Sequence, residues 1–183
     1  MKRIIYKWVF CGLMGWKISG SFDPQIKKCV IIVVPHTSWF DFFTGLLARG
    51  IIGLQINWVG KKELFRFPFG YYFRWMGGEP LDRTGGLDSV TQIIGVFKRK
   101  DVFRLAIAPE GTRKKVAQWK TGFYYIAVGA AVPIIPVGFD YKHREVIIGS
   151  PFYPGGNLGA DLPLLEQYFS GVEGKIPQNS VRL

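Results

Sequence analysis

Residues 30–41 read VIIVVPHTSWFD, and this stretch decides the fold class. Its first five residues are all β-branched, and such a short apolar run is typical of a strand that is buried on both faces of a parallel sheet. Pro35 ends the run, and residues 40–49 have helical character. A buried strand that leads directly into a helix is the unit from which α/β sheets are built.

The rest of the chain continues this alternation. Further strands are predicted at residues 56–59, 80–81, 103–108, 134–137 and 146–148, and further helices at 68–75, 87–100, 122–131 and 162–169. The sequence therefore predicts an α/β fold: a single layered domain with a mostly parallel sheet flanked by helices. Because ligands of such sheets bind beyond the carboxyl ends of the strands, the loops after residues 34, 81, 108 and 137 are expected to carry the chemistry.

The composition fits a folded, anion-binding protein. A length of 183 residues suits one domain, and 48% hydrophobic residues exclude a disordered chain. The net charge of +11 favours phosphates, anionic lipid headgroups, acidic carrier proteins or nucleic acid as partners, and charge alone does not choose among them. Cys11 and Cys29 have neither metal-binding nor redox spacing, so they are expected to be buried free thiols in a reducing compartment.

The first 17 residues are expected to form an amphipathic helix. One face carries Ile4, Ile5, Trp8, Val9, Gly12 and Trp16, and the other carries Lys2, Arg3, Lys7 and Lys17. The segment is too short to span a bilayer and lacks a small-residue cleavage site, which makes a secretory signal the weaker interpretation. It predicts an interfacial helix on an anionic membrane, with residues 1–20 as the anchor and 21–183 as the main domain. The alternative is a helix that packs only on its own core.

His36 and Asp41 lie at the predicted strand-to-helix turn. The turn would direct His36 away from the sheet edge, and the first turn of the helix would bring Asp41 back beside it. A neutral imidazole can take a proton from a hydroxyl near neutral pH, and a neighbouring carboxylate orients and stabilises it. The alternative is structural: Ser38 caps the helix, Asp41 completes a capping box, and His36 only ends a strand. Both interpretations can hold together.

Two later loops carry groups that can bind a phosphate. Residues 108–113 read APEGTR, in which backbone N–H groups and Arg113 can hold an anion while Glu110 holds the loop or a polyol. Residues 77–83 read GGEPLDR, in which Arg83 offers a bidentate guanidinium. The alternative for the first loop is an ordinary turn with solvated charges.

Other features exclude some chemistries and leave one open. There is no G-x-S-x-G nucleophile elbow, no phosphate loop that ends in Gly-Lys-Ser or Gly-Lys-Thr, and no G-x-G-x-x-G. The chain has only two histidines and two scattered cysteines, which argues against a metal site, and His143 is expected to be exposed. The aromatic residues of 65–75 line an acyl channel, lie on lipid or form part of the core, and the sequence does not decide between these.

Four motifs in order resemble those of the glycerolipid acyltransferases, typified by 1-acylglycerol-3-phosphate acyltransferase. They are the six-residue motif from His36 to Asp41, residues 77–83, residues 109–113 and residues 132–136, with two secondary basic signatures at 61–64 and 119–122. The resemblance covers about residues 30 to 140. It departs from the family at Ala108, where an aromatic residue is usual, and at Glu79-Pro80, which interrupts an apolar block.

The resemblance implies which residues act. His36 is expected to be the general base and Asp41 its partner. The expected substrate-binding residues are Lys61, Arg83, Glu110, Gly111, Thr112, Arg113 and Lys120. Of these, Arg83, Glu110, Gly111 and Arg113 would contact the glycerol phosphate of the acceptor.

The expected activity is transfer of a fatty acyl group from acyl-CoA or acyl carrier protein to the hydroxyl of a lysolipid, by default 1-acylglycerol-3-phosphate, in phospholipid biosynthesis. No metal, no further cofactor and no nucleic acid are expected. The expected location is the cytoplasmic face of the cell membrane, as a monotopic or peripheral protein. The alternatives are an O-acyltransferase for a lyso-amino-acid lipid, and a non-catalytic basic module that binds lipid or nucleic acid. The second alternative is disfavoured because the basic residues are scattered over loops rather than arranged in a stripe.

Overall fold

A computed structural model describes residues 2–81 and 88–180 of the chain. The strands are β1 (Lys17–Ser19), β2 (Lys28–Val34), β3 (Trp58–Lys61), β4 (Gly78–Leu81), β5 (Phe103–Ile107), β6 (Ile134–Asp140) and β7 (Glu145–Ile148). Five of them form the main sheet in the order β1-β7-β6-β2-β5, and β3 pairs with β4 in a separate two-stranded sheet. All pairs are parallel except β6 with β7, so the predicted α/β fold with a mostly parallel sheet is confirmed.

The helices pack on both faces of the main sheet. They are α1 (Lys2–Lys7), α2 (Phe40–Ile52), α3 (Gly70–Trp75), α4 (Ser89–Arg99), α5 (Gly122–Ala130) and α6 (Leu158–Gln167). A π-helical segment (Trp8–Leu13) continues α1, and short 3-10 helices occur at Lys62–Phe65 and Pro177–Asn179.

The central strand β2 separates two hydrophobic cores because its side chains alternate between the faces of the sheet. Val30, Ile32 and Val34 join the core that contains the buried residues of α4 and α5. Cys29 and Ile31 join the second core, which includes Ala48 of α2. The second core matters for function because α2 begins at the predicted catalytic turn.

One predicted strand needs correction, and one strand was missed. The strand expected at residues 56–59 begins at Trp58 and belongs to the small sheet, although Asn57 makes a parallel bridge to Leu105 of β5. The strand β1 was not predicted, since it has only three residues and no apolar alternation to reveal it. It joins the main sheet by pairing with β7, far along the chain.

The N-terminal segment both packs on the domain and presents apolar side chains to solvent. Ile4, Ile5 and Trp8 are exposed as expected, whereas Phe10 is fully buried in the second core. Trp16, predicted on the exposed face, is also buried there, because the helix ends at Leu13 and the wheel does not extend past it. The expected boundary between residues 1–20 and 21–183 therefore lies after β1, so the anchor segment as predicted includes a strand of the main sheet.

The two cysteines differ in exposure. Cys29 is buried as predicted, but Cys11 is exposed, so its predicted burial was wrong. Its neighbour Phe10 occupies the inward position in the same helical turn. None of the described helices is both long and apolar enough to cross a bilayer.

Candidate active site

The turn after β2 is organised around the carboxylate of Asp41. Its Oδ2 accepts hydrogen bonds from the backbone N–H groups of Thr37 and Ser38, both at 2.9 Å. The Ser38 hydroxyl in turn accepts from the N–H of Phe40, the first residue of α2, at 3.2 Å. The structural alternative for this motif is therefore met only in part: Asp41 and Ser38 accept from N–H groups of the turn, but the N-cap residue of α2 is Trp39, which makes no side-chain capping bond. The hydrogen bonds to Oδ2 hold Asp41 beside His36.

His36 and Asp41 form a close pair. The Nδ1 atom of His36 lies 3.0 Å from Oδ2 of Asp41, and the Asp41 side chain is 2% exposed against 25% for the imidazole. A proton on Nδ1 would satisfy the carboxylate and leave Nε2 as the free base. Burial by itself raises the pKa of Asp41, but hydrogen bonds from His36, Ser38 and Tyr141 outweigh it and lower this pKa overall. Asp41 is thus an anion that can stabilise a protonated imidazole.

Tyr141 is a member of this site that the sequence did not reveal. Its hydroxyl donates to Oδ1 of Asp41 at 2.7 Å and lies 3.2 Å from Oγ1 of Thr44. Burial, together with the hydrogen bond to Asp41, raises the pKa of Tyr141, so the hydroxyl stays a donor. Tyr141 directly follows β6, whose end was expected to carry chemistry, but a tyrosine there gave no further signal.

Glu110 links the loop after β5 to the turn after β2. Its Oε2 accepts a hydrogen bond from the backbone N–H of His36 at 2.6 Å. The residue is 2% exposed, and Oε1 is buried without a hydrogen-bond partner. Burial is the largest cause that raises the pKa of Glu110, and the charge of Asp41 adds to it. Because β2 and β5 are neighbours, this carboxylate fixes the position of His36 from the adjacent strand.

We expect Glu110→Gln to change how stability depends on pH. A carboxyl whose pKa is raised by folding adds stability that is complete below its unfolded pKa, near 4.5, and is lost as the pH rises through the folded value. Glutamine cannot titrate, so the stability of the variant relative to wild type should improve as the pH rises above about 4.5. Thermal unfolding of both proteins over this range measures the difference. A constant difference at every pH would contradict the assigned shift.

The loop after Glu110 is compact and ends in exposed charges. Gly111 has a φ of +64°, and a Cβ there would lie 2.9 Å from Nζ of Lys120, so the lysine side chain passes directly over this glycine. Thr112 Oγ1 accepts from the N–H of Lys114 at 3.3 Å. Arg113 is exposed, and its backbone carbonyl accepts from Asn179 at 3.0 Å. The structure thus brings Lys120 to the loop and leaves Arg113 available to a ligand.

The remaining predicted substrate-binding residues lie on the small sheet or outside the described part of the chain. Lys61 is exposed and ends β3. Arg83 lies outside the described residues, two positions after the end of β4. Within residues 2–81 and 88–180, no carboxylate pairs with Lys61, Arg113 or Lys120. No hydrogen bond or ion pair connects these three cations to His36.

An apolar cavity of about 390 Å³ reaches His36 and Asp41. It runs between α2 and the sheet, and its wall includes Ile31, Val33, Gly45, Ala48, Ala106 and Phe139. Arg49 and Ile52, in the last turns of α2, line it as well. Eleven residues separate Asp41 from Ile52, so the cavity follows α2 for roughly 16 Å at 1.5 Å per residue. The sequence did not predict this cavity, because it arises from small residues on separate elements.

The described residues hold no cluster of three or more histidine, cysteine, aspartate or glutamate side chains that could bind a metal ion. His143 is more than half exposed, as expected, and its Nδ1 lies 2.5 Å from Oδ2 of Asp140. It is therefore a second histidine–aspartate pair, but one on the surface that does not line the apolar cavity.

Comparisons with known proteins place this site in a family. A family model described as "Acyltransferase" matches residues 17–140, which include His36, Asp41 and Glu110. The 1-acyl-sn-glycerol-3-phosphate acyltransferase of Escherichia coli (strain K12) is 32% identical over 134 residues, which are 68% of this chain and 53% of that protein. The protein of the same name from Bacillus subtilis (strain 168) is 27% identical over 185 residues, covering 90% of this chain and 91% of that one.

A solved structure supports the fold. The crystal structure of the 1-acyl-sn-glycerophosphate acyltransferase from Thermotoga maritima superposes with a TM-score of 0.63 at 21% identity, over 91% of this chain and 74% of that one. This chain spans about half the length of several relatives that it matches, such as the 53% of the Escherichia coli protein. The family model covers well over half of the chain, and the chain therefore belongs to the acyltransferase family.

Proposed function

We propose that this protein is a 1-acylglycerol-3-phosphate acyltransferase in which His36 is the general base and Asp41 its partner. The observation that carries the proposal is the His36–Asp41 pair, 3.0 Å apart, at an apolar cavity of about 390 Å³. A base beside an elongated apolar space suits a reaction between a hydroxyl and a long acyl chain. The relatives named for this activity support the choice of reaction.

The proposed reaction needs no acyl-enzyme. His36 Nε2 takes the proton of the acceptor hydroxyl as its oxygen attacks the thioester carbonyl, and the tetrahedral intermediate then expels the thiol of coenzyme A or acyl carrier protein. The imidazolium returns the proton to the leaving thiolate. Asp41, held anionic by its hydrogen-bond donors, stabilises the imidazolium between these two steps.

The acceptor is proposed to bind over the loop after β5. Arg113 is exposed there and Lys120 lies over Gly111, while the buried Glu110 would hold the loop through its hydrogen bond from His36. Thr112, Arg83 and Lys61 at the end of β3 would complete a cationic site for the phosphate. A guanidinium recognises phosphate through two parallel hydrogen bonds, which favours a phosphate-bearing lysolipid.

The direct test is an acyl-transfer assay with purified protein. Thiol release from palmitoyl-CoA is measured with lysophosphatidate, with a lysolipid that lacks phosphate, and without an acceptor, and the series is repeated with palmitoyl acyl carrier protein. We expect release that depends on lysophosphatidate. A preference for the lysolipid that lacks phosphate would show that the proposed acceptor is wrong. If no pair of substrates gives thiol release, the proposed acyltransferase activity is refuted.

The apolar cavity predicts a change in acyl-chain preference. Ala48 is 4% exposed and lines the cavity one helical turn beyond Gly45. If the acyl chain lies there, the larger side chain in Ala48→Leu obstructs the deeper part, and kcat/KM should fall about tenfold or more for palmitoyl donors. Octanoyl donors should be affected much less. The matched control is Ala160→Leu, at an exposed position of α6. An equal loss for both donors would exclude the cavity as the acyl site.

We propose that the protein works at the cytoplasmic face of the cell membrane, bound to anionic lipid. Ile4, Ile5, Trp8 and Leu13 are between 57% and 73% exposed, and Lys2, Arg3 and Lys7 accompany them. Such a surface suits insertion at headgroup depth. Residues 1–20 would therefore contact lipid while Phe10 and Trp16 hold them on residues 21–183. No metal or further cofactor is proposed.

A further inference from the structure

A second aromatic surface lies on residues 62–75, the aromatic segment, which contains α3. Five of its side chains are largely exposed: Phe67 at 88%, Phe69 at 66%, Tyr71 at 81%, Tyr72 at 54% and Trp75 at 75%. Apolar residues scattered singly over a surface need no explanation, but five within nine positions form a patch typical of an interaction site. Of the alternatives that the sequence left open for these residues, burial in the core is excluded for these five side chains.

The backbone of the segment is anchored to the domain through the buried side chain of Phe65. Phe65 is 7% exposed, and its ring packs against Trp58 and Phe73 at centroid distances of 5.8 and 6.2 Å. A Cβ on Gly70 would lie 2.1 Å from the Phe65 carbonyl oxygen, so only glycine permits this close turn into α3. The exposed aromatic side chains thus belong to a segment whose backbone is packed against the domain.

Basic side chains surround a cavity beside the exposed rings. Lys62, Arg66 and Arg74 line a space of about 300 Å³ whose other walls are Phe65 and Pro80. The Arg74 guanidinium lies 5.3 Å from the centre of the Phe65 ring. Within residues 2–81 and 88–180, no carboxylate pairs with Arg66 or Arg74. The segment itself contains one acidic residue, the exposed Glu63.

We propose that the aromatic segment is a membrane-docking element for anionic phospholipid, with its rings among the headgroups and a lipid phosphate between Arg66 and Arg74. The combination argues for this occupant. Tyrosine and tryptophan rings favour the interface between water and hydrocarbon, and arginines beside them match the negative charge of the lipid. A purely apolar partner would leave the guanidinium groups without a counter-charge.

The docking element borders the proposed reaction site. Trp58, which supports Phe65, lines the apolar cavity that reaches His36, as does Met76, which follows α3. Docking through this segment would therefore hold that cavity beside the bilayer. The inference rests on the proposed function in one respect, since it assumes that the substrate is a lipid. Its tests are independent of catalysis, because binding to vesicles is measured without an acyl donor and without turnover.

The first test measures binding of the full chain to vesicles of phosphatidylcholine with phosphatidylglycerol. We expect Phe67→Ser with Trp75→Ser to lower the partition coefficient about tenfold or more, since two exposed interfacial rings are lost. The matched control is Tyr125→Ser with Tyr153→Ser, which removes two rings that are 51% and 71% exposed elsewhere. Equal binding by the two double variants would overturn the proposal.

The second test concerns charge. Arg66→Gln with Arg74→Gln should lose about 25-fold in binding to phosphatidylglycerol vesicles, since each basic residue near an anionic surface contributes about fivefold. Lys98→Gln with Arg99→Gln removes the same charge from exposed positions at the end of α4 and should lose less. Equal losses in the two double variants would show that Arg66 and Arg74 contribute only to the overall positive charge, and would refute a phosphate site between them.

The third test locates the segment in the membrane. In a Cys11→Ser background, Phe67→Cys is labelled with an environment-sensitive fluorophore. Cys29 does not compete, because it is fully buried and burial raises its pKa to about 12. Anionic vesicles should raise and blue-shift the emission, whereas a label in place of Tyr153 should not respond. No response at position 67 would overturn the proposal.

A transfer assay separates docking from catalysis. Transfer to a short-chain lysolipid in free solution should stay unchanged in Phe67→Ser with Trp75→Ser. If the wild-type protein binds vesicles but transfers no acyl group, only the proposed function is contradicted.

Discussion

His36→Ala should reduce acyl transfer to about one hundredth of wild type or less, since general-base catalysis contributes roughly 10² to 10⁴ in rate. The loss should be in kcat rather than in KM, because the proton moves only as the bond forms. The backbone N–H that donates to Glu110 is kept, so the loops after β2 and β5 should stay joined. The measurement is thiol release from palmitoyl-CoA with lysophosphatidate, with thermal unfolding to confirm that the variant folds.

The chain supplies a matched control in His143. Like His36, it has an aspartate oxygen close to Nδ1, at 2.5 Å, but its side chain is 58% exposed and does not line the apolar cavity. His143→Ala should therefore keep wild-type turnover. Turnover in His36→Ala above a tenth of wild type, or an equal loss in both variants, would remove His36 from the role of base.

The predictable part of the site is the part that is local in sequence. His36 and Asp41 are five residues apart at a strand-to-helix turn, and the hydrogen bonds that close this turn lie within three or four residues. The alternating pattern of buried strands and helices predicted the fold for the same reason. Such short-range geometry follows from the backbone itself.

The parts that the sequence did not reveal depend on contacts between distant residues. Glu110 reaches the backbone of His36 across 74 positions, and Tyr141 reaches Asp41 across 100. The first contact needs the β2–β5 pairing and the second needs the chain to leave β6 at Asp140. Neither pairing can be deduced from one sequence, because many registers suit apolar strands equally well.

The N-terminal segment shows how a helical wheel fails. The wheel placed Trp16 with Trp8 on one face, which holds only while the helix continues. The helix ends at Leu13, and Gly15 has a φ of +67°, so the chain turns and carries Trp16 into the core against Tyr141. The assignment remained correct for Ile4 and Trp8, which lie inside the helical part.

Asp41→Asn should lower turnover by about 10²-fold while leaving the fold nearly intact, since it removes the charge that stabilises the imidazolium. The hydrogen bonds explain why the fold survives. The amide oxygen can replace Oδ2, which accepts from Thr37 and Ser38, and the amide nitrogen can donate to Tyr141 in place of Oδ1. The Tyr141 hydroxyl would then donate to Oγ1 of Thr44, which lies 3.2 Å away.

This arrangement makes the role of Tyr141 measurable. In Asp41→Asn with Tyr141→Phe, the buried amide nitrogen loses its acceptor, which costs about 1 to 3 kcal/mol of unfolding free energy. Tyr141→Phe alone removes a stronger hydrogen bond, the one to the Asp41 carboxylate, so the double variant should be no less stable than the sum of the two single changes predicts, which denaturant unfolding of all four proteins measures. Asp41→Ala gives the contrast, because it leaves the Thr37 and Ser38 N–H groups and the Tyr141 hydroxyl without an acceptor at once. If Asp41→Asn instead unfolds as readily as Asp41→Ala, the carboxylate is needed for the turn itself, and a loss of turnover in that variant is no evidence for catalysis by its charge.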